Sequence, residues 1–296
     1  MNSKYLFIGE DLELHKGEEA KALLASTNDK EFLEDGKGVV RVPKSRWQVA
    51  QTYERKTWLE ASAHASDDRN DTHAREFDDY RVLAGTDYNR AIELGCGPFT
   101  NLRVMAQKLN IERCVLLDPL IDSYLKHRHC MYANGKVRTG ESRLSRALGK
   151  WKIGRAIRRV VRTFWPENLE DGLKVERRVC SSIENMPNCG TFDLVVMINV
   201  IEHCFDVELI FEKVLRLCKP GAVFVFHDRM YNANEVIEGA NTRFDAGHPL
   251  RVNRDIIIAF LRKNFTTVSE KEVDVVDSIG DIDLTERGMF FIGKCR

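Results

Sequence analysis

The 296-residue chain predicts an α/β fold, a mostly parallel sheet with helices on both faces, and three observations carry that prediction. From Arg90 onward, short apolar strands alternate with helical segments of about ten residues, the grammar of βαβ units. "FDLVVMINV", Phe192 to Val200, is apolar almost without a break, as a strand covered on both faces must be. "AIELGCGPFTNL", Ala91 to Leu102, passes from a strand through two glycines into a helical segment. Such a turn opens a ligand crevice at the carboxyl end of a parallel sheet.

The elements follow in order. Residues 1–80 read as a mostly helical lead-in: in "RWQVAQTYERKTWLEASAHA", Trp47, Ala50, Gln51, Glu54, Trp58 and Ala61 fall near helical spacing. After the polar "SDDRNDTHAREFDDY", Phe77 and Tyr80 belong to a further helical start. Residues 81–296 form the body. There "RAIELG" is a strand, "FTNLRVMAQKLN" a helix, "RCVLLD" a strand and "PLIDSYLKH" a helix. Beyond an interruption at about 127–172, "LKVERRVC" and "FDLVVMINV" are strands. "DVELIFEKVLRLC" is a helix with Val207, Ile210, Phe211, Val214, Leu215 and Leu217 as its apolar side. "KPG" is a turn, "AVFVFHD" a strand, "NRDIIIAFLRKNF" a helix and "GMFFIGKC" a terminal strand.

Lys and Arg number 45 and so do Asp and Glu, so bulk charge selects no partner. No apolar run reaches the roughly eighteen residues that a membrane-spanning helix needs. The opening "MNSKYLFIGEDLELHKGEEA" turns acidic too soon for a secretory signal. Eight cysteines lie scattered with no C-x-x-C pair, which argues against a zinc ribbon or a disulfide scaffold and for the reducing cytosol.

Gly95 and Gly97 allow a tight turn and a close approach of backbone to ligand, beside the N–H groups of a helix start. A nucleotide-like ligand fits there. Thr100 stands where the dinucleotide fingerprint has its third glycine, and Glu93 precedes the turn. A carboxylate repels a pyrophosphate but suits a cation, so the charge favours S-adenosylmethionine (SAM), with its ammonium and sulfonium, over NAD. Asp118 ends the next strand, 23 residues past Gly95, where an acid can accept hydrogen bonds from ribose hydroxyls.

"AIELGCGP", "VLLDP", "FDLVVMINVIEH" and "LCKPGAVFVF", in that order, resemble the class I SAM-dependent methyltransferases, from Arg90 to Cys295 less the interruption. The resemblance implies a Rossmann-like sheet of seven strands with the last antiparallel. It implies that Glu93, Gly95 and Gly97, with Cys96 in the same loop, surround the methionine part. Asp118 would hold the ribose, with Pro119 and Leu120 beside it, and Ser182 and Ile183 would edge the adenine. Asn199 would face the methionine or the reaction centre. Two departures stand out: Phe99 occupies the place of the family's third glycine, and no acid stands near Ser181 or Ser182. Phe99 must therefore point away from the cofactor or form a wall of its pocket. The motif style is similar to bacterial small-molecule and glycan-pathway methyltransferases, which implies O-methylation of a sugar or related metabolite.

A hydroxyl acceptor gains from a general base, most often histidine. His203, His227 and His248 fall at or beyond strand ends. His203 serves equally as a capping residue, His227 has Asp228 beside it to orient it, and His248 precedes Pro249 in a lid-like loop. Glu202 with His203 resembles the metal-binding pair of some quinone-biosynthesis methyltransferases. Asn199 stands where those carry a further acid, so no metal is expected. Trp58 and Tyr80 either close over the cofactor or pack structurally. Arg69, Asn70 and His73 either line the pocket or form a solvated loop.

Between His127 and Trp165 lie eleven Lys or Arg against the single acid Glu141, with Leu144, Leu148, Trp151, Ile157, Val161 and Phe164 roughly on one helical face. A basic amphipathic insertion of this kind suits an anionic membrane surface, or is a flap with a solvated basic face. The sparse aromatics and the absence of an N-P-P-Y-type tetrad argue against nucleic acid. The alternatives to a small-molecule enzyme are an RNA or protein methyltransferase tethered by this segment, and a non-catalytic SAM-binding partner subunit. A nicotinamide-dependent oxidoreductase is disfavoured by Glu93 and Thr100. If the segment meets membranes, the protein co-sediments with anionic vesicles at low salt and releases at high salt. Deleting residues 140–165 should abolish this; unchanged sedimentation would refute it.

Overall fold

In the computed structural model, the described residues are 6–8, 14–16, 41–42, 44–59, 70–127, 129–138, 172–232, 243–244, 247–279 and 282–296. The strands in chain order are β1 (Leu6–Ile8), β2 (Leu14–Lys16), β3 (Asp87–Leu94), β4 (Asn110–Leu117), β5 (Lys136–Arg138) and β6 (Gly172–Val179). They continue with β7 (Phe192–Ile198), β8 (Cys218–Met230), β9 (Arg243–Phe244), β10 (Phe265–Ile279) and β11 (Ile282–Cys295). One sheet has eight strands in the order β10-β11-β8-β7-β3-β4-β6-β5. Strands β8, β7, β3, β4 and β6 run parallel, and β11 runs antiparallel to both its neighbours.

The antiparallel last strand is as the family resemblance implies, but the count is eight rather than seven. The extra strand is β5, three residues that pair antiparallel with β6 at the sheet edge. Three residues carry too little periodicity to announce a strand. The sheet also contains β10, which the sequence pattern did not resolve as a strand. Its "FTTVSEKEVDVVDSI" is largely polar because β10 is an edge strand with a single neighbour.

Alternation along the central strands sends side chains to two cores. Ile92, Leu94, Val115, Leu117, Val195, Met197, Phe224 and Phe226 face one side. There they meet Val207, Ile210 and Val214 of helix Val207–Leu217, and Ile257, Phe260 and Leu261 of helix Arg254–Asn264. Ala91, Cys114, Leu116, Leu194, Val196, Val223 and Val225 face the other side, under Ala74, Phe77, Tyr80, Leu102 and Met105. The helices after the first two body strands are far shorter than their sequence pattern suggests: Leu102–Met105 and Ile121–Tyr124. After Met105 the chain mixes i→i+3 and i→i+4 bonds, as Gln107 to Val104 and Leu109 to Met105, before β4 begins at Asn110. The "KPG" turn lies inside β8, where a register shift opposite Phe192–Leu194 absorbs Gly221 in the left-handed region.

The lead-in holds helix Lys44–Leu59 but is not only helical: β1 pairs antiparallel with β2 and parallel with β9 in a small separate sheet. Helix Lys44–Leu59 is tied to the carboxyl ends of the body strands. Trp47 Nε1 and Gln51 Nε2 both donate to the His203 carbonyl, at 3.1 and 3.2 Å. Trp47 also meets Phe205 edge-on at 5.4 Å, and Arg41 pairs with Asp206. Most of the basic insertion, 139–171, lies outside the described residues. Arg69 and the segment 233–242 do as well.

Candidate functional site

Glu93 ends β3 on the side that carries Ala91, and is 1% exposed. It accepts hydrogen bonds from the Thr100 hydroxyl, the Asn101 N–H (2.8 Å), the Asn101 Nδ2 (3.0 Å) and the Leu102 N–H (3.3 Å). Burial pushes its carboxyl up to about 7, against the pull of those donors. The carboxyl group expected beside the glycines is there, but its partners are the donors of its own loop. Thr100 shows why: its φ of 50° is a left-handed conformation that costs a β-branched residue about 1–3 kcal/mol. The chain keeps the geometry of the missing glycine, and the Thr100 hydroxyl bond to Glu93 offsets the strain.

The glycines divide the work. A Cβ on Gly95 would lie 2.6 Å from the Val200 side chain, so this residue packs under the loop after β7. At Gly97, with φ 52°, a Cβ would meet nothing within 4 Å, which leaves that face open to a ligand. The Gly97 N–H donates to Asp118 Oδ2 at 3.0 Å, and its carbonyl accepts from the Tyr132 hydroxyl at 2.7 Å. Cys96 is buried and its thiol lies 3.6 Å from the same hydroxyl.

Asp118 follows β4 and also accepts from the Leu120 N–H at 2.8 Å. Burial raises its carboxyl to about 6, and Glu54 nearby adds to the rise. Two N–H bonds leave lone pairs free on both oxygens, which suits the vicinal hydroxyls of a ribose. Pro119 is half-buried at the same mouth. In the next loop, Ser182 Oγ accepts from Asn185 Nδ2 at 3.2 Å, and Ile183 is 2% exposed within the core. Asn199, just past β7, is half-buried with φ 59°, and its N–H donates to the His227 carbonyl at 2.7 Å. Phe99 is buried, edge-on to Trp58 with ring centroids 5.9 Å apart. Tyr80 is fully buried on Phe77 and packs in the core.

The three histidines part company. His227 is 3% exposed, stacked on Phe290 at 3.9 Å, and burial with His73 beside it lowers its pKa to about 3. Its Nδ1 lies 3.1 Å from the Met289 carbonyl, which can only accept, so Nδ1 carries the proton. Asp228 does not orient it, because adjacent strand residues face opposite sides. Asp228 instead accepts from the Val200 and Ile201 N–H groups, at 2.9 and 2.6 Å. His203 and His248, both half-buried, meet with ring centroids 4.6 Å apart. Glu54 of the lead-in helix approaches His203 Nδ1 to 3.7 Å.

Several of these partners carry no signal in the sequence. Glu54, Tyr132 and Glu184, whose Oε1 accepts from the Phe205 and Asp206 N–H groups, arrive from segments far apart in the chain. His73 was legible as polar, and its Nδ1 lies 3.2 Å from Asn101 Oδ1 in the loop that Glu93 holds.

A glycine turn that closes on a strand-end carboxylate, at the carboxyl end of a mostly parallel sheet, makes a crevice for a nucleotide-like ligand. The chain is a member of the methyltransferase domain family, which it matches over residues 50–270, well over half its length. As a member of that family, the chain takes SAM as its methyl donor. No curated protein matches the chain. Similar solved structures include the N-methyltransferase NodS from Bradyrhizobium japonicum WM9 in complex with S-adenosyl-L-homocysteine. It is 15% identical, with 83% of this chain and 98% of that chain covered and a TM-score of 0.49. Another is the 1,6-didemethyltoxoflavin-N1-methyltransferase of Burkholderia thailandensis, 10% identical, with 90% and 98% covered and a TM-score of 0.48. Among the described residues, no helix is long and apolar enough to cross a membrane.

The raised carboxyl of Glu93 makes stability depend on pH. A group whose pKa rises from 4.5 unfolded to about 7 folded stabilises fully below the unfolded value, and the gain is lost as pH climbs through the folded one. The loss is on the order of 3 kcal/mol for this fully buried group. Urea unfolding at a series of pH values should show stability falling between about pH 5 and pH 7, with a shallower fall in Glu93→Gln. An identical slope in the variant would refute the assignment.

Proposed function

We propose that the protein transfers the methyl group of SAM to a hydroxyl of a sugar or related small metabolite, with the His203–His248 pair handling the acceptor's proton. The observation that carries this reading is the meeting of those two rings beyond the carboxyl end of β7, next to Asn199. SAM supplies a methyl group on a cationic sulfur, and the protein's main task is alignment. A neutral amine can lose its proton after transfer, whereas a hydroxyl gains from losing it early. A pair of half-buried imidazoles at the acceptor's side therefore supports oxygen over nitrogen.

On this reading Gly95, Cys96 and Gly97 flank the methionine part, with Glu93 shaping their loop from beneath. Asp118 and Pro119 receive the ribose, Ser182 and Ile183 border the adenine, and Asn199 stands between donor and acceptor. The lead-in, residues 1–80, acts as a cover over a methyltransferase body at 81–296. The strap from Trp47 to Trp58, tied to the His203 carbonyl at one end and to Phe99 at the other, supports that division. His227, 3% exposed, stacked on Phe290 and tied through Nδ1 to the Met289 carbonyl, is given a packing role on this reading. Cysteines used as small core hydrophobes, six of the eight buried, support a cytosolic home.

Incubation with methyl-labelled SAM and panels of sugars, sugar phosphates, amines, RNA and protein tests the reading. Label should appear on the oxygen of a small acceptor. With that acceptor, His203→Ala and His248→Ala should lower turnover by about 10²–10⁴-fold while SAM affinity holds. Label in RNA, protein or an amine would overturn it.

A further inference from the structure

We propose that Glu54, His203 and His248 form a binding site for one divalent transition-metal ion of the Zn²⁺ or Co²⁺ class. Each offers one ligand atom, and these atoms all lie within 4.8 Å of one another. They come from three separate places: the lead-in helix, the 3₁₀ turn Ile201–His203 after β7, and the loop before helix Arg254–Asn264. Two imidazoles and a carboxylate match the ligand preferences of zinc and its neighbours, whereas Mg²⁺ and Ca²⁺ favour oxygen throughout.

The surroundings are arranged as metal-binding histidines require. Such a histidine donates its other ring N–H to a carbonyl or carboxylate, which fixes the tautomer. His203 Nδ1 lies 3.1 Å from the Gly247 carbonyl and 3.7 Å from Glu54 Oε1; the tautomer that donates from Nδ1 to the carbonyl keeps the Nε2 lone pair for an ion. His248 Nε2 faces Glu202 Oε1 at 3.5 Å, which turns its Nδ1 away from that acid. Glu202 is 2% exposed and is itself held against Arg229 at 3.5 Å. Glu54 Oε2 accepts from Trp58 Nε1 at 3.1 Å, and Trp47 and Gln51 pin the backbone at His203. Every ligand is thus oriented by a second group. The Glu202–His203 pair of the sequence is not the ligand pair: Glu202 supports His248 from behind, and Glu54 supplies the carboxylate.

The inference rests on reading this corner as the acceptor's side, and deepens it. Three protein ligands leave a coordination position open. An acceptor hydroxyl bound there would become more acidic and lose its proton to water, so the His203–His248 pair would act on that proton as ligands of the ion rather than by taking it directly. Of the three ligands only Glu54 belongs to the lead-in, so the ion would also fasten that helix to the body.

The test uses the full chain, freed of metal by chelation and titrated with Co²⁺. One equivalent should bind and give the visible absorption of a nitrogen-coordinated ion, displaced by Zn²⁺ but not by Mg²⁺. His203→Ala, His248→Ala and Glu54→Gln should each weaken binding by at least about 100-fold, beyond the ~10–100-fold cost of losing a supporting group. SAM calorimetry on the same variants shows that they are folded. No stoichiometric binding, or equal affinity in all three variants, would overturn the site. A wrong acceptor assignment would leave the Co²⁺ spectrum and its dependence on these residues intact, so the two failures are distinguishable.

Discussion

Buried carboxylates that accept backbone N–H groups hold the working end of this molecule together. Glu93 takes the N–H groups of Asn101 and Leu102, Asp118 those of Gly97 and Leu120, and Asp228 those of Val200 and Ile201. Glu184 takes those of Phe205 and Asp206. Each loop leaves its strand with orphan donors, and an acid from the same or a neighbouring segment satisfies them. Lost solvation pushes all four carboxyls upward in pKa, Asp228 further through its neighbour Glu202. The loops that shape the crevice are therefore braced by groups that cost free energy to bury and are kept only while their donors stay in place.

This bracing explains the departure from the glycine pattern. A third glycine would reach the left-handed region without strain; Thr100 reaches it with a hydroxyl that adds a bond to Glu93. The loop becomes stiffer, and its open face is left at Gly97. The lead-in helix completes the enclosure. It crosses from Phe205 to Phe99 and brings Glu54 near Asp118 and the histidine pair. The Asp118 turn and the histidine pair thus share Glu54 as a neighbour.

Much of this was legible in the residues. The unbroken apolar run of β7, the glycine turn and the aspartate ending "VLLD" specify strands and crevice, because both-face burial and tight turns demand those residue types. The sign of Glu93 was legible too, but not its partner. A carboxylate at a strand end attracts positive charge, and backbone N–H groups present it as well as an ammonium does. The fifteen polar-rich residues of β10 and the three of β5 were hidden, since edge strands carry no clear apolar face. The short helices after β3 and β4 were overread from composition. Glu54 is separated from His203 by most of the body, and no local spacing could reveal their meeting.

Calorimetric titration of the chain with SAM, and separately with NAD, tests the central claim that the Gly97–Asp118 crevice holds the methyl donor. The account predicts micromolar SAM binding, none for NAD, and loss of SAM binding in Asp118→Ala with the fold retained by circular dichroism. NAD binding, or SAM affinity indifferent to Asp118, would contradict it.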